Sequence, residues 1–148
     1  MQPSIKNDLV YLLRILESIG KIKLYSQSFS KATDFFEANE QQNFNASLAL
    51  LLNIGEQASR ISDELMRKYP DVEWDEIKKF RNRIAHDYTG IDKFITYEII
   101  VNDLPELLET VRKIISEQLE TGVFNKQELM AAIGNMYYRH VDFSDWIS

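Results

Sequence analysis

Hydrophobic residues recur along most of this chain at alternating steps of three and four, the spacing that places side chains on one face of an α-helix. One such stripe lies at residues 5–25 and a longer one at residues 41–69. Few segments show the strict alternation that is typical of strands. The pattern predicts an all-α bundle of about five core helices. The apolar positions of the two stripes are Ile5, Leu9, Leu12, Leu16, Ile19, Phe44, Leu48, Leu51, Leu52, Ala58, Ile61 and Leu65.

Residues that favour helix ends divide the rest of the chain. We predict a short helix at 31–37 and an end of the second long helix at Pro70, because proline disfavours the helical conformation in the residue before it. The next helix is expected to begin near Glu73. Asp92 is a good N-cap for a helix that reaches about residue 101, and the last core helix is expected to open at Asp103.

A second region follows Gly122, which interrupts the helical pattern. Asn125, with Glu128 three positions later, predicts the capped start of a short helix at 126–133. The remaining residues are rich in aromatic side chains, unlike a disordered tail. They should therefore dock on the chain's own bundle, on a second copy or on a partner protein. We divide the chain into a bundle at 1–121 and a C-terminal extension at 122–148, in which His140 is expected to have a surface or docking role.

Gly55 lies inside the second long helix, where glycine costs about 1 kcal/mol relative to alanine. Its small size is therefore expected to let another helix approach closely, either within the chain or across a dimer interface. The neighbouring Glu56 is a candidate for orienting Arg81 through a charge-assisted hydrogen bond. The alternative is that Glu56 is a solvating surface residue.

Composition narrows the class of protein. The chain has 148 residues, the size of one ordinary domain, and a net charge of −6. It contains no cysteine, which excludes disulfides and thiolate metal sites and agrees with a reducing compartment. No apolar run approaches the roughly 20 residues that span a membrane, and the first residues do not resemble a signal peptide. We expect a soluble cytoplasmic protein that does not associate with a membrane.

A local basic cluster stands out in this acidic chain. Lys78, Lys79, Arg81 and Arg83 lie within six residues that include no acid. Such a cluster indicates a phosphate-bearing partner. Trp74, Ile77, Phe80 and Ile84 mark the buried face of the same helix, so Arg81 and Arg83 are expected to project towards solvent or a partner.

Chemically versatile side chains follow within the same segment: Asn82, His86 and Tyr88. On a regular helix, residues 81 and 88 share a face, as do 82 and 86, whereas Arg81 and His86 differ in direction by about 140°. Arg81 and His86 could then contact one phosphate only if the helix frays near His86, as Gly90 would permit, or if the two residues come from two chains.

If the phosphate-bearing partner is RNA and the reaction is cleavage without a metal, the chemistry also favours two chains. A base must deprotonate the 2′-hydroxyl, a cation must neutralise the phosphorane, and an acid must protonate the departing 5′-oxygen. A symmetric dimer would bring two imidazoles into one cleft, one for each proton transfer. A mechanism in which His86 or Tyr88 positions the scissile group, without a second histidine, stays open. The sequence has neither a carboxylate and histidine cluster typical of a metal site nor a glycine-rich phosphate loop, so we expect no metal and no cofactor.

The arrangement Arg-x4-His-x-Tyr, with Asn82 directly after Arg81, resembles the signature of HEPN domains. The surrounding sequence is similar to HepT toxins of the HepT/MntA type over residues 5–119. The segments that carry the resemblance are NIGEQA at 53–58, KYPDVEW at 68–74 and DLPEL at 103–107.

This resemblance implies a HEPN-type helical bundle that forms a homodimer and cleaves RNA, not DNA, without a metal. It implies Arg81 and His86 as catalytic residues and Asn82 as an auxiliary residue. The family's partner is a nucleotidyltransferase antitoxin that transfers AMP to the motif tyrosine, here Tyr88. An adenylyl group there would place a bulky anion against the basic cluster and block RNA. Lys78, Lys79 and Arg83 would then be RNA-binding residues.

The acidic net charge is the main argument against RNA, because phosphate binding is largely electrostatic. Two classes of protein that do not cleave RNA therefore stay open as alternatives to a ribonuclease. One is a non-catalytic helical dimer that binds a minimal nucleotidyltransferase as its substrate or adaptor. The other is a purely structural dimer.

Overall fold

The computed structural model describes residues 4–86 and 90–147, and at 83–86 it describes the backbone alone. All regular elements within these residues are helical, which confirms the all-α prediction. The α-helices are α1 (Asp8–Ser26), α2 (Ala32–Glu37), α3 (Gln42–Arg60), α4 (Asp63–Lys68), α5 (Trp74–His86), α6 (Lys93–Glu98), α7 (Leu104–Glu120) and α8 (Lys126–Ala132). Short 3-10 helices at Ile5–Asn7, Ala38–Gln41, Met136–Tyr138 and Ser144–Trp146 and a π-helical segment at Ile99–Asp103 complete the described chain.

The hydrophobic core lies where α1, α3 and α7 meet. α1 packs along α3 and also contacts α7, while α5 packs on the other side of α3. Leu9 and Leu12 of α1, Leu48 of α3, and Ile114 and Ile115 of α7 are fully buried. The stripes seen in the sequence are therefore the faces that these helices bury. No helix in the described ranges is both long and apolar enough to cross a bilayer.

The prediction of one continuous helix at 41–69 was wrong. The chain leaves the helical conformation at Ile61 and Ser62, which separate α3 from α4. The Ser62 hydroxyl accepts a hydrogen bond from Leu65 N–H at 3.2 Å and so caps α4. Serine caps compete with helix continuation through such local bonds, whereas apolar periodicity is the same on both sides of the break.

The chain stays helical where a new helix was expected to open at Asp103. Asp92 caps α6 as predicted, because its carboxylate accepts from Phe94 N–H at 2.8 Å. Asp103, however, has helical dihedral angles and makes no side-chain cap, and the π-helical segment joins α6 to α7. Pro105 explains the wider turn, since proline lacks an N–H and its ring clashes with the carbonyl four residues earlier.

The C-terminal extension docks on the chain's own bundle, the first of the three alternatives. Val141, Phe143 and Trp146 are buried. His140 meets Glu17 of α1 twice, through its N–H at 2.6 Å and its Nδ1 at 2.9 Å. The predicted docking role of His140 is therefore observed. Asn125 caps α8 as predicted. Its side-chain oxygen accepts hydrogen bonds from Gln127 N–H at 2.7 Å and from Glu128 N–H at 3.2 Å.

Candidate functional site

Gly55 sets the distance between α3 and α5. A Cβ atom added at this glycine would lie 2.7 Å from Arg81 Cβ, 3.0 Å from Arg81 N and 3.1 Å from Ile77 O. Such distances are shorter than van der Waals contact, so only glycine allows this approach. The interpretation of Gly55 as a close-approach residue is confirmed, and the approaching helix belongs to the same chain.

The apolar pattern predicted that Arg81 lies off the packed face of α5 and projects towards solvent or a partner. The side chain does reach solvent, but its base is packed against α3. Its Cβ faces Gly55, and its side chain then runs outwards until it is 46% exposed. The stem of an arginine is apolar and packs well, while the guanidinium remains in contact with water. Arg81 is therefore anchored at its base and accessible at its tip.

Glu56 holds the guanidinium of Arg81. The Nε of Arg81 forms an ion pair with Glu56 Oε2, the contact that the sequence suggested as one of two alternatives. Arginine has five N–H donors, and this contact uses the one on Nε. The terminal Nη groups are the edge that can bind a phosphate with two parallel hydrogen bonds.

Arg60 is a neighbour of this site that our sequence analysis missed. Its Nη2 lies 3.6 Å from Glu56 Oε1, so one carboxylate contacts two guanidinium groups. The available signal was the four-residue spacing of Glu56 and Arg60, which brings two helix side chains together. Such pairs are common on helix surfaces, and the spacing alone does not reveal that Arg81 shares the carboxylate.

The lysines of the basic cluster have different surroundings. Lys79 is exposed and its Nζ lies 3.4 Å from Glu76 Oε1, one turn earlier on α5. Lys78 is half-buried, with its Nζ 3.5 Å from Met66 Sδ of α4. Asn82 is exposed. The residues that form one cluster in sequence are therefore spread around α5.

The other candidate residues are described in part or not at all. α5 continues as an α-helix to His86, so positions 81 and 86 lie on one helix. The side chains of Arg83 and His86 lie outside the described atoms, and Tyr88 lies outside the described residues.

A groove of about 930 Å³ opens between α5 and α7, and Leu51 and Ile54 of α3 also line it. Ile77, Phe80 and Leu107 form part of its apolar lining. Its charged lining residues are Asp71, Glu73, Glu76, Asp103 and Glu106 against Lys68, Lys79 and Lys113. This excess of acids makes the groove unfavourable for phosphate groups.

In the described parts of the chain, no group of three or more His, Asp or Glu residues is placed to hold a metal ion. The groups that the site offers are therefore guanidinium, carboxylate and amide.

The fold and the site define a class of protein. The chain is an all-helical bundle of the HEPN type, and it presents Arg81 of the Arg-x4-His-x-Tyr segment on its surface. The model of the family described as "HepT-like: Ribonuclease HepT-like" matches residues 15–114. The chain belongs to this family.

Several relatives of this chain have names that describe them as putative or probable ribonucleases. A protein of Methanocaldococcus jannaschii named "Gamma-glutamylcyclotransferase and putative RNase" is 32% identical over 82% of this chain, which spans 53% of that relative. A "Putative RNase" of the same organism is 31% identical over 68% of this chain and 90% of its own length. "Probable ribonuclease HepT" of Thermococcus cleftensis is 26% identical over 70% of this chain and 92% of its own. No solved structure matches significantly.

Proposed function

We propose that this protein is a metal-independent endoribonuclease toxin. The observation that carries the proposal is the anchored Arg81. Its base packs against α3 at Gly55, and its Nε pairs with Glu56. The chain also belongs to the HepT-like ribonuclease family. A guanidinium held in this way loses little conformational entropy when it binds a phosphate, because its side chain is already ordered.

The reaction is an attack of the ribose 2′-oxygen on the adjacent phosphorus. A base removes the 2′-hydroxyl proton, the P–O5′ bond breaks, and an acid protonates the departing O5′, which leaves a 2′,3′-cyclic phosphate and a 5′-hydroxyl. Arg81 neutralises the charge on the phosphorane oxygens. His86 supplies proton transfer near neutral pH, as imidazole does elsewhere. Asn82, exposed one residue after Arg81, binds the sugar or phosphate.

Two copies of the chain supply the complete set of groups. Arg81 and His86 are five positions apart on α5, a difference in direction of about 140° on a regular helix. A symmetric dimer with two α5 helices facing each other presents Arg81 of one copy beside His86 of the other. It also provides one imidazole as base and a second as acid. Lys78, Lys79 and Arg83 add positive charge around this cleft.

The partner protein in this proposal is a nucleotidyltransferase antitoxin. It transfers AMP from ATP to the Tyr88 hydroxyl, and pyrophosphate leaves. The added phosphate would pair with the basic residues and exclude RNA from the cleft.

The test is cleavage of RNA by purified protein in EDTA. His86→Ala removes the proton-transfer group and should lower the cleavage rate by about 10²–10⁴-fold, while size-exclusion chromatography shows an unchanged dimer. His140→Gln is the matched control, since the chain has two histidines, and His140 lies in the C-terminal extension, where it contacts Glu17 of α1. This control should cleave at the wild-type rate.

Equal cleavage by wild type and His86→Ala would overturn the mechanism. A protein that binds a nucleotidyltransferase and cleaves no RNA would identify the alternative, a non-catalytic dimer that serves as substrate or adaptor. The acidic lining of the groove beside α7 favours a protein partner on that side of α5.

A further inference from the structure

Three arginines from different helices form a row from α5 across α3 to α1. Arg81 pairs with Glu56 Oε2, Arg60 Nη2 lies 3.6 Å from Glu56 Oε1, and Arg14 Nη1 donates to Gln57 Oε1 at 3.5 Å. We call Arg81, Arg60 and Arg14 the arginine row.

The geometry of α3 places Arg60 between the other two. At about 100° per residue, Arg60 lies about 40° beyond Glu56 and about 60° short of Gln57 around the helix axis. Glu56 contacts α5 on one side, and Gln57 contacts α1 on the other. Arg60 is exposed on the surface that separates them.

The contact to Arg14 rests on an ordered polar network. Gln57 is buried, and its Nε2 donates to Asn53 Oδ1 at 3.0 Å. Asn53 Nδ2 donates in turn to Ser18 Oγ at 2.9 Å. These bonds assign the Gln57 amide, so that its oxygen points to Arg14. Arg14 itself is exposed on α1.

The arginine row is positive although the protein is acidic. Arg81 and Arg60 contact the Glu56 carboxylate, whereas Arg14 contacts the neutral amide of Gln57. Three positive charges and one negative charge leave a local charge of +2. α4 starts beyond Arg60 and carries Asp63 and Glu64 in its first turn. These acids flank the middle of the row and do not lie at either end, so a polyanion is favoured along the line from α5 to α1.

We propose that the arginine row binds the sugar–phosphate backbone of an RNA strand that extends from the Arg81 site. This inference rests on the proposed ribonuclease function and adds a binding path outside the cleft. Arg60 and Arg14 are RNA-binding residues, which act on affinity. The row also resolves the conflict between an acidic chain and an RNA substrate, because the positive charge is concentrated along one path.

The test measures RNA binding without cleavage. Proteins that carry His86→Ala are titrated with a single-stranded RNA of about twenty nucleotides at several salt concentrations. Arg60→Gln and Arg14→Gln should each weaken binding about fivefold and reduce the slope of log Kd against log salt by about 0.7. Arg60→Lys should restore most of the slope, since it keeps the charge.

The matched control is Lys23→Gln. Lys23 is exposed on α1, nine positions after Arg14, and so lies on the opposite side of the helix. It should change neither the affinity nor the slope. Equal slopes for wild type, Arg60→Gln, Arg14→Gln and Lys23→Gln would overturn the arginine row, even if the protein cleaves RNA. Absence of RNA binding by every variant would overturn the proposed function and the row together.

A second pair of variants removes no native contact of the row. Ala49 is exposed on α3 and lies seven positions before Glu56, close to the same face. Ala49→Glu should weaken RNA binding and Ala49→Lys should strengthen it, with kcat for cleavage unchanged in the proteins that keep His86. Equal affinities for the two variants would contradict the proposed path.

Discussion

Asp8 is the first residue of α1, and its side chain is fully buried. Its carboxylate accepts from Ser62 N–H at 3.0 Å and from the Ser62 hydroxyl at 2.5 Å. Burial raises the pKa of Asp8, and the two hydrogen bonds from Ser62 oppose this rise. The negative charge of Glu64 raises it further. One residue thus fixes the turn between α3 and α4 at an electrostatic cost.

The raised pKa of Asp8 makes a prediction about stability and pH. When a pKa is higher in the folded than in the unfolded protein, the folded state binds more protons between the two values. The stabilising effect of protonated Asp8 is complete below the unfolded pKa of 3.8 and is lost as pH rises through the folded pKa. Asp8→Asn keeps an acceptor for Ser62 N–H and cannot ionise.

We therefore expect the difference in free energy of unfolding, Asp8→Asn minus wild type, to increase as pH rises above 3.8. The difference should become constant above the folded pKa of Asp8. Urea denaturation between pH 3 and 8 measures this difference. Asp63→Asn, at an exposed position of α4, is the control. A difference that does not vary with pH would show that Asp8 does not titrate as argued.

At the scale of elements, the position of α5 depends chiefly on α3. α5 packs along α3 at Gly55, whereas the groove of about 930 Å³ lies between α5 and α7. Any residue that pushes α5 away from α3 therefore also moves Arg81 relative to Glu56. The contact between Gly55 and Arg81 therefore determines both the packing of these two helices and the geometry of the candidate site.

Gly55→Ala should destabilise the protein although alanine favours helices. Alanine gains about 1 kcal/mol of helix propensity, but its Cβ would overlap Arg81 Cβ and backbone atoms that cannot rotate away. We expect a net loss of about 1–2 kcal/mol in the free energy of unfolding, measured by urea denaturation.

RNA cleavage by Gly55→Ala should also fall, because Arg81 is displaced from Glu56. Ala49→Ser, an exposed change on the same helix, should alter stability by no more than about 0.5 kcal/mol. A Gly55→Ala protein with wild-type stability and activity would show that the helices adjust without cost.

At the scale of the molecule, the C-terminal extension completes the bundle. The family model ends at residue 114, yet Trp146 packs edge-on against Phe143 with ring centroids 6.1 Å apart. Its Nε1 donates to Ser116 Oγ at 2.8 Å, and the Arg112 guanidinium lies 4.6 Å from its ring centroid. The extension therefore covers a face of α7 with packed and hydrogen-bonded groups.

Trp146→Ala should cost about 3 kcal/mol of stability, because it removes a large buried side chain and leaves a cavity. Thermal and urea unfolding measure the loss. The neighbouring Ile147 is 47% exposed, so Ile147→Ala is a control with a small expected effect. Similar losses for both variants would indicate that Trp146 does not complete the core.

The sequence by itself determined the helical class, the apolar faces and the local ends of several helices. Asp92 and Asn125 cap helices as predicted, because an N-cap bonds to N–H groups two and three residues away. The Arg-x4-His-x-Tyr segment and the family were also visible, since both depend on linear spacing. The break at Ser62 was missed because the apolar periodicity is the same on both sides of it, and because Asp8, which also bonds to Ser62, lies 54 positions away.

Only the tertiary structure decided which groups meet. It placed Arg81 against Gly55, joined Arg60 and Arg81 through Glu56, and directed the aromatic extension onto its own chain. Periodicity states which side of a helix is buried, but the neighbour on that side depends on how several helices pack at once. The physical reason is that caps and stripes involve residues close in sequence, whereas these contacts arise from the packing of the whole chain.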